Sequence, residues 1–123
     1  MPRILLDQNA PLGLRSHLMD HDVVTARYMG WEALSNGELI AAAEAQGFDV
    51  LITADQNLQY QQNMTARRIA IVVLKTNHWA TIRNDAAQVV GVVNRCTAGS
   101  FMEVKFDRSA PRGKGRGRKL ASD

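Results

Sequence analysis

The stretch RILLDQNAP, residues 3–11, runs three large apolar residues, Ile4, Leu5 and Leu6, straight into Asp7, Gln8 and Asn9. A strand with one wet face alternates apolar and polar residues, whereas an unbroken apolar run has both faces covered. Arg3–Leu6 therefore reads as a buried parallel strand that finishes on an acid. Phe48-Asp49-Val50-Leu51-Ile52-Thr53 repeats the pattern as a third strand, and Asp55 follows it.

Between and beyond these strands the chain alternates. Pro11 sits near the start of a helix expected to reach Met19, a position where its missing N–H costs little. Asp22–Thr25 reads as a short second strand, followed by a loop through Gly30 and Trp31. Ser35 starts a helix in which Leu39, Ile40 and Ala43 share a face, and Gly47 ends it. A short helix over Gln56–Thr65, a strand over Ile69–Leu74 and a helix from Trp79 or Ile82 to Arg95 come next. Ser100–Phe106 alternates and reads as an edge strand. Strands separated by helical stretches predict an α/β three-layer sandwich with a mostly parallel central sheet of four to five strands.

Composition narrows the function classes. The 123 residues suffice for one domain, and 46% hydrophobic with 22% charged content is that of a soluble globular protein. No apolar run approaches the roughly 20 residues of a membrane span. The first residues lack the layout of a signal peptide. The single cysteine, Cys96, excludes an internal disulfide framework and reads as a core residue. A cytoplasmic protein without membrane association is the expectation. The net charge of +3 is unevenly divided. Residues 107–123 hold six basic residues against two acids, whereas residues 1–106 hold nine against ten. The chain thus divides into a nearly neutral domain, 1–106, and a basic tail, 107–123. The tail alternates glycine with cations and is expected to be disordered. In it, Arg112, Lys114, Arg116, Arg118 and Lys119 could hold nucleic-acid phosphates, or could simply keep the chain solvated.

In open parallel sheets, ligands bind where the carboxyl ends of the strands meet solvent. Asp7 and Asp55 should lie on that rim, and Glu38, in the first turn of the helix after Ser35, could lean over it. Three such carboxylates repel one another and call for a cation. Oxygen-only ligands suit Mg²⁺ or Mn²⁺ rather than zinc. Each acid also has a structural reading. Glu38 fits a capping box with Ser35, Asp55 could cap a helix at Gln56, and Asp7 could satisfy loop amides. His17, His21 and His78 lack metal-ligand spacing and read as ordinary surface or loop residues.

The combination ILLDQN, HDVVT and SNGELIAAAEAQGFDVLITADQNL resembles the small stand-alone PIN-like nucleases over about residues 3–106. Asp7, Glu38 and Thr53-Ala54-Asp55 fall on the positions where that family carries its acids. The resemblance implies Mg²⁺- or Mn²⁺-dependent cleavage of RNA, with Asp7, Glu38 and Asp55 as catalytic metal ligands. Asn9, Thr53 and Asn57 would then orient those ligands by hydrogen bonding. It also implies the toxin of a toxin–antitoxin pair, with an antitoxin-like protein partner. Gln8 and Asn57 stand where the family commonly has acids, and each removes a charge while keeping an oxygen acceptor. A catalytically weakened PIN-like module that binds RNA or a protein partner is therefore the alternative. Phosphoacceptor receiver domains and haloacid-dehalogenase-like enzymes fit less well, because Asp7-Gln8-Asn9 supplies neither an acidic pair nor Asp-x-Asp. Finally, Met29, Trp31 and Leu34 would mark a homodimer or partner surface if exposed, or fold back onto the core.

Overall fold

The computed structural model describes residues 2–55 and 68–106. Its centre is a sheet of five strands: β1 (Arg3–Leu6), β2 (Asp22–Thr25), β3 (Val50–Thr53), β4 (Ala70–Leu74) and β5 (Phe101–Val104). All neighbours pair in parallel, in the order β2-β1-β3-β4-β5. The expected mostly parallel sheet is thus parallel throughout, with β5 at one edge and β2 at the other. Among the described residues, the helices are α1 (Leu14–His17), α2 (Ala26–Met29), α3 (Asn36–Ala45), α4 (Trp79–Asn84) and α5 (Ala86–Arg95). No helix among the described residues is long and apolar enough to cross a membrane.

Alternate residues of each strand feed opposite faces, which explains the unbroken apolar runs. Ile4, Leu6, Val50, Ile52, Val72 and Leu74 pack with Leu14 of α1, Ile82 of α4 and Val89, Val92 and Val93 of α5. Leu5, Leu51, Ile71 and Val73 pack on the other side with Ala26 of α2 and Leu39, Ile40 and Ala43 of α3. Each fully buried Leu or Ile contributes about 1.5–3 kcal/mol of transfer free energy, so the two covered faces carry the three-layer sandwich. Cys96 packs partly buried against the first cluster.

Several expected boundaries move, each for a local reason. The helix expected from Pro11 to Met19 is regular only over one turn. Gly13 precedes that turn, and a Cβ there would come within 2.3 Å of the Trp79 ring. The segment expected as a loop after β2 contains α2. Thr25 accepts a hydrogen bond from the Tyr28 N–H at its start, and Gly30 ends it in the left-handed conformation at φ 76°. The helix expected from Trp79 or Ile82 to Arg95 is two helices, broken at Asp85 where the backbone leaves helical values. Trp31 does not stand out as a contact surface. It packs partly buried on the core in a T-shaped contact with Phe48, centroids 6.2 Å apart. The helix expected over Gln56–Thr65 lies outside the described residues, as does the basic tail.

The chain steps from β1 to β2 in one direction and then builds β3, β4 and β5 in the other. In doubly wound sheets that reversal opens a crevice at the carboxyl ends of the two strands between which it occurs. Here those strands are β1 and β3, and the residues that follow them are Asp7 and Asp55.

Candidate functional site

The Asp7 N–H continues the β1–β3 ladder by donating to the Ile52 carbonyl at 2.9 Å. The register that pairs Leu6 with Ile52 makes Thr53 the next partner of Asp7. Parallel partners point to the same face, and the two polar side chains meet as that register requires. The Thr53 hydroxyl donates to Asp7 Oδ2 at 2.8 Å, and Asp7 Oδ1 accepts from the Gln8 N–H at 2.8 Å. Asp7 is 8% exposed and Thr53 0%; they are the buried polar residues among those described. Burying a carboxylate is costly unless its oxygens are met, and here both are.

The network continues outward. Thr53 Oγ1 accepts from the Asp55 N–H at 3.1 Å, so one hydroxyl connects the two acids. Asn9 Oδ1 accepts from the Ala54 N–H at 2.9 Å and lies 3.2 Å from Thr53 Oγ1. Asn9 thereby ties the loop after β1 to the residue after β3. Asp55 Oδ2 accepts from Asn36 Nδ2 at 2.6 Å, which brings the first turn of α3 over the rim. Sequence reasoning missed Asn36. Its signal was its place in the first turn of a helix whose start faces this edge.

Glu38 lies in that same turn, but its carboxylate is engaged locally. Glu38 Oε1 accepts from the Ser35 N–H at 2.9 Å, and the Ser35 hydroxyl accepts from the Glu38 N–H at 3.3 Å, a complete capping box. The Ser35 backbone N–H, and then its hydroxyl, hold the Glu38 carboxyl below its ordinary value. Among the described residues no three Asp, Glu, His or Cys side chains are gathered to hold a metal ion. The expected convergence of Asp7, Glu38 and Asp55 is therefore not formed, because Glu38 turns back to cap its own helix.

Gln8 reaches with Nε2 to the Glu32 carbonyl at 3.0 Å and anchors the loop before α3. A cleft of about 320 Å³ opens beside Asp7, lined by Gln8, Ala10, Leu12, Arg15, Thr25 and Arg27. Sequence reasoning gave Arg15 and Arg27 no role. Asn57, Arg112, Lys114, Arg116, Arg118 and Lys119 lie outside the described residues.

The donors at this edge are all oxygens from carboxylates, a hydroxyl and amides. Mg²⁺ is commonly held by one or two carboxylates completed by waters and substrate phosphates. Asp7 and Asp55 fit that pattern without Glu38, and thiolate or imidazole metals find no partner among these side chains. No protein-family model matches this chain, and no curated protein or solved structure matches it.

Proposed function

We propose that the chain is a metal-dependent ribonuclease of the PIN-like type. The reading is carried by one observation: the Thr53 hydroxyl joins Asp7 to the Asp55 backbone at the β1–β3 crevice. A buried acid that met only loop amides would be structural. Asp7 instead meets a strand-borne hydroxyl and also lines an open cleft, so it is both fixed and accessible.

In this reading Asp7 and Asp55 hold Mg²⁺ or Mn²⁺. The ion, when bound, supplies an activated water and neutralises charge on the phosphodiester transition state. The chain's own residues do the positioning. Thr53 keeps Asp7 Oδ2 from rotating, Asn9 holds the two post-strand loops in register, and Asn36 restrains the Asp55 carboxylate. Such partners of a ligand typically change affinity or activity by about 10–100-fold when removed. Toxin activity with an antitoxin-like partner belongs to the same proposal and rests on the sequence resemblance.

A second reading has its own observation. Glu38 is occupied by its cap and no three-acid group forms among the described residues, which favours a PIN-like module that binds RNA or a protein with little cleavage. One experiment separates the two. Labelled RNA is incubated with the protein in Mg²⁺ or Mn²⁺, in EDTA, and with Asp7→Asn. Cleavage that requires the metal and Asp7 supports the nuclease. RNA retention without cleavage in either metal supports the binding module.

A further inference from the structure

The cleft beside Asp7 carries charges that the described residues leave uncommitted. Arg15 from α1 and Arg27 from α2 line it together with Asp7, Gln8 and Thr25. The ion pairs among the described residues are Arg3 with Asp22 and Lys75 with Glu103, so neither guanidinium is paired with a described acid. A second groove of about 320 Å³ shares Arg15 and Thr25 with the first and is otherwise lined by Val23, Val24 and Tyr28. Tyr28 is 82% exposed. An aromatic ring left that open, next in the chain to Arg27, contributes little to the fold.

We propose that the cleft and the adjoining groove form a binding track for single-stranded RNA, in which Arg15 and Arg27 hold backbone phosphates and Tyr28 stacks a base. The proposal rests on the nuclease reading for the position of the scissile phosphate and adds how the strand is held there. Guanidiniums match phosphate oxygens in a planar, two-point geometry. Aromatic faces stack any base, which makes such tracks tolerant of sequence. A base can reach Tyr28 only when unpaired, so the track selects single strands over duplex. Arg27 lines Asp7's cleft and Tyr28 lines the adjoining groove, so a strand with one phosphate at Arg27 and a base on Tyr28 spans the two. An acidic polypeptide would use the arginines but leave Tyr28 without a purpose.

The test is binding of the whole chain in EDTA to a fluorescein-labelled single-stranded RNA of about 12 nucleotides, read by anisotropy over a salt series. Arg15→Ala/Arg27→Ala should weaken binding at least about tenfold and lower the log–log salt slope by about 1.4, two phosphates at about 0.7 each. Tyr28→Ala should weaken it by about fivefold or more, and Tyr28→Phe should bind like the parent. Arg83→Ala, on α4, should also bind like the parent. Circular dichroism melts on each variant exclude unfolding as the cause.

Parent-like binding and salt slope in the double arginine variant overturn the track while leaving the nuclease reading intact if the parent still cleaves. Equal affinity for duplex and single strand overturns the stacking role. Arginine-dependent binding of poly-glutamate in place of RNA overturns the RNA track in favour of a protein partner. A parent that binds RNA through Arg15, Arg27 and Tyr28 but cleaves in neither Mg²⁺ nor Mn²⁺ upholds the track and sinks the nuclease.

Discussion

The two ends of the sheet both carry acids, and the acids do different things. At the amino-terminal edge, Asp49 Oδ2 accepts from the Arg3 N–H at 2.8 Å, and Glu44 Oε2 accepts from the Arg68 and Ile69 N–H groups at 2.6 and 3.1 Å. These carboxylates satisfy backbone donors where the chain enters β1 and β4, which is a folding task. At the carboxyl-terminal edge, Asp7 meets a side-chain hydroxyl, and through it the segment after a second strand. It also faces a cleft bordered by two arginines that form no ion pair among the described residues. An acid's neighbours, more than its position at a strand end, separate a candidate reactive group from a backbone clamp.

The largest expected contrast is between Asp7→Asn and Asp49→Ala. Removing a partner of a metal ligand costs about 10–100-fold, so losing the ligand's own charge should lower metal-dependent cleavage by about 100-fold or more. The fold should survive within about 1 kcal/mol. An asparagine at position 7 can still accept from the Gln8 N–H and donate to Thr53 Oγ1, whose proton then turns to Asn9 Oδ1, 3.2 Å away. Asp49→Ala should do the opposite, losing about 1 kcal/mol of stability with cleavage retained. Cleavage rates and urea melts on the pair decide it. Equal loss of cleavage in both would erase the distinction between the two edges.

Thr53→Val comes next, because it removes the hydroxyl and keeps the shape. Asp7 Oδ2 and the Asp55 N–H both lose a partner at a buried position, at a cost of about 1–3 kcal/mol. Cleavage should fall by about 10–100-fold, and Thr53→Ser should restore most of it. Glu44→Gln at the other edge should lower stability by about 1–2 kcal/mol and leave cleavage unchanged. If Thr53→Val loses stability alone, the hydroxyl belongs to the fold and not to the site.

How much of this was legible in the sequence depends on the range of the interaction that decides it. β1 stands where the apolar pattern put it, because burial on both faces is written into consecutive residues, and β2, half-buried at the sheet edge, stands on the β-branched run Val23-Val24-Thr25. β3 begins two residues later than Phe48, since that ring is already buried against Trp31 while the ladder has yet to start. α2 was missed because its evidence is one Thr25 cap and one left-handed Gly30, too short for any periodicity. The break at Asp85 was missed because the apolar spacing of Ile82, Ala86, Val89 and Val93 runs on across it. At the site, Asp7, Thr53 and Asn9 were legible because strand ends in a parallel sheet share an edge. Arg15 and Arg27 were not, because only the placement of α1 and α2 beside the end of β1 brings them into one cleft.

Glu38 is where sequence and structure leave two roles for one side chain, and the smallest predicted effect separates them. Its carboxyl is held below its ordinary value near 4.5 by the Ser35 N–H and hydroxyl, so the folded chain favours the charged form. Between the depressed folded pKa and the ordinary one, the unfolded chain binds more protons, and stability rises with pH. The contribution is therefore fully present above about 4.5 and is lost as pH falls through the depressed value. Glu38→Gln keeps an acceptor for the Ser35 N–H, as capping boxes allow, and removes the titration. The variant should unfold in urea with a flatter acid limb below about pH 4.5, matching the parent in acid, where Glu38 is protonated, and falling slightly below it near neutrality. Since Mg²⁺ can be held by two carboxylates, cleavage should stay within about fivefold of the parent. A loss as large as that of Asp7→Asn would instead mean that Glu38 leaves its cap to join Asp7 and Asp55 when metal and RNA are bound. An unchanged acid limb would remove the cap as the source of its depressed pKa.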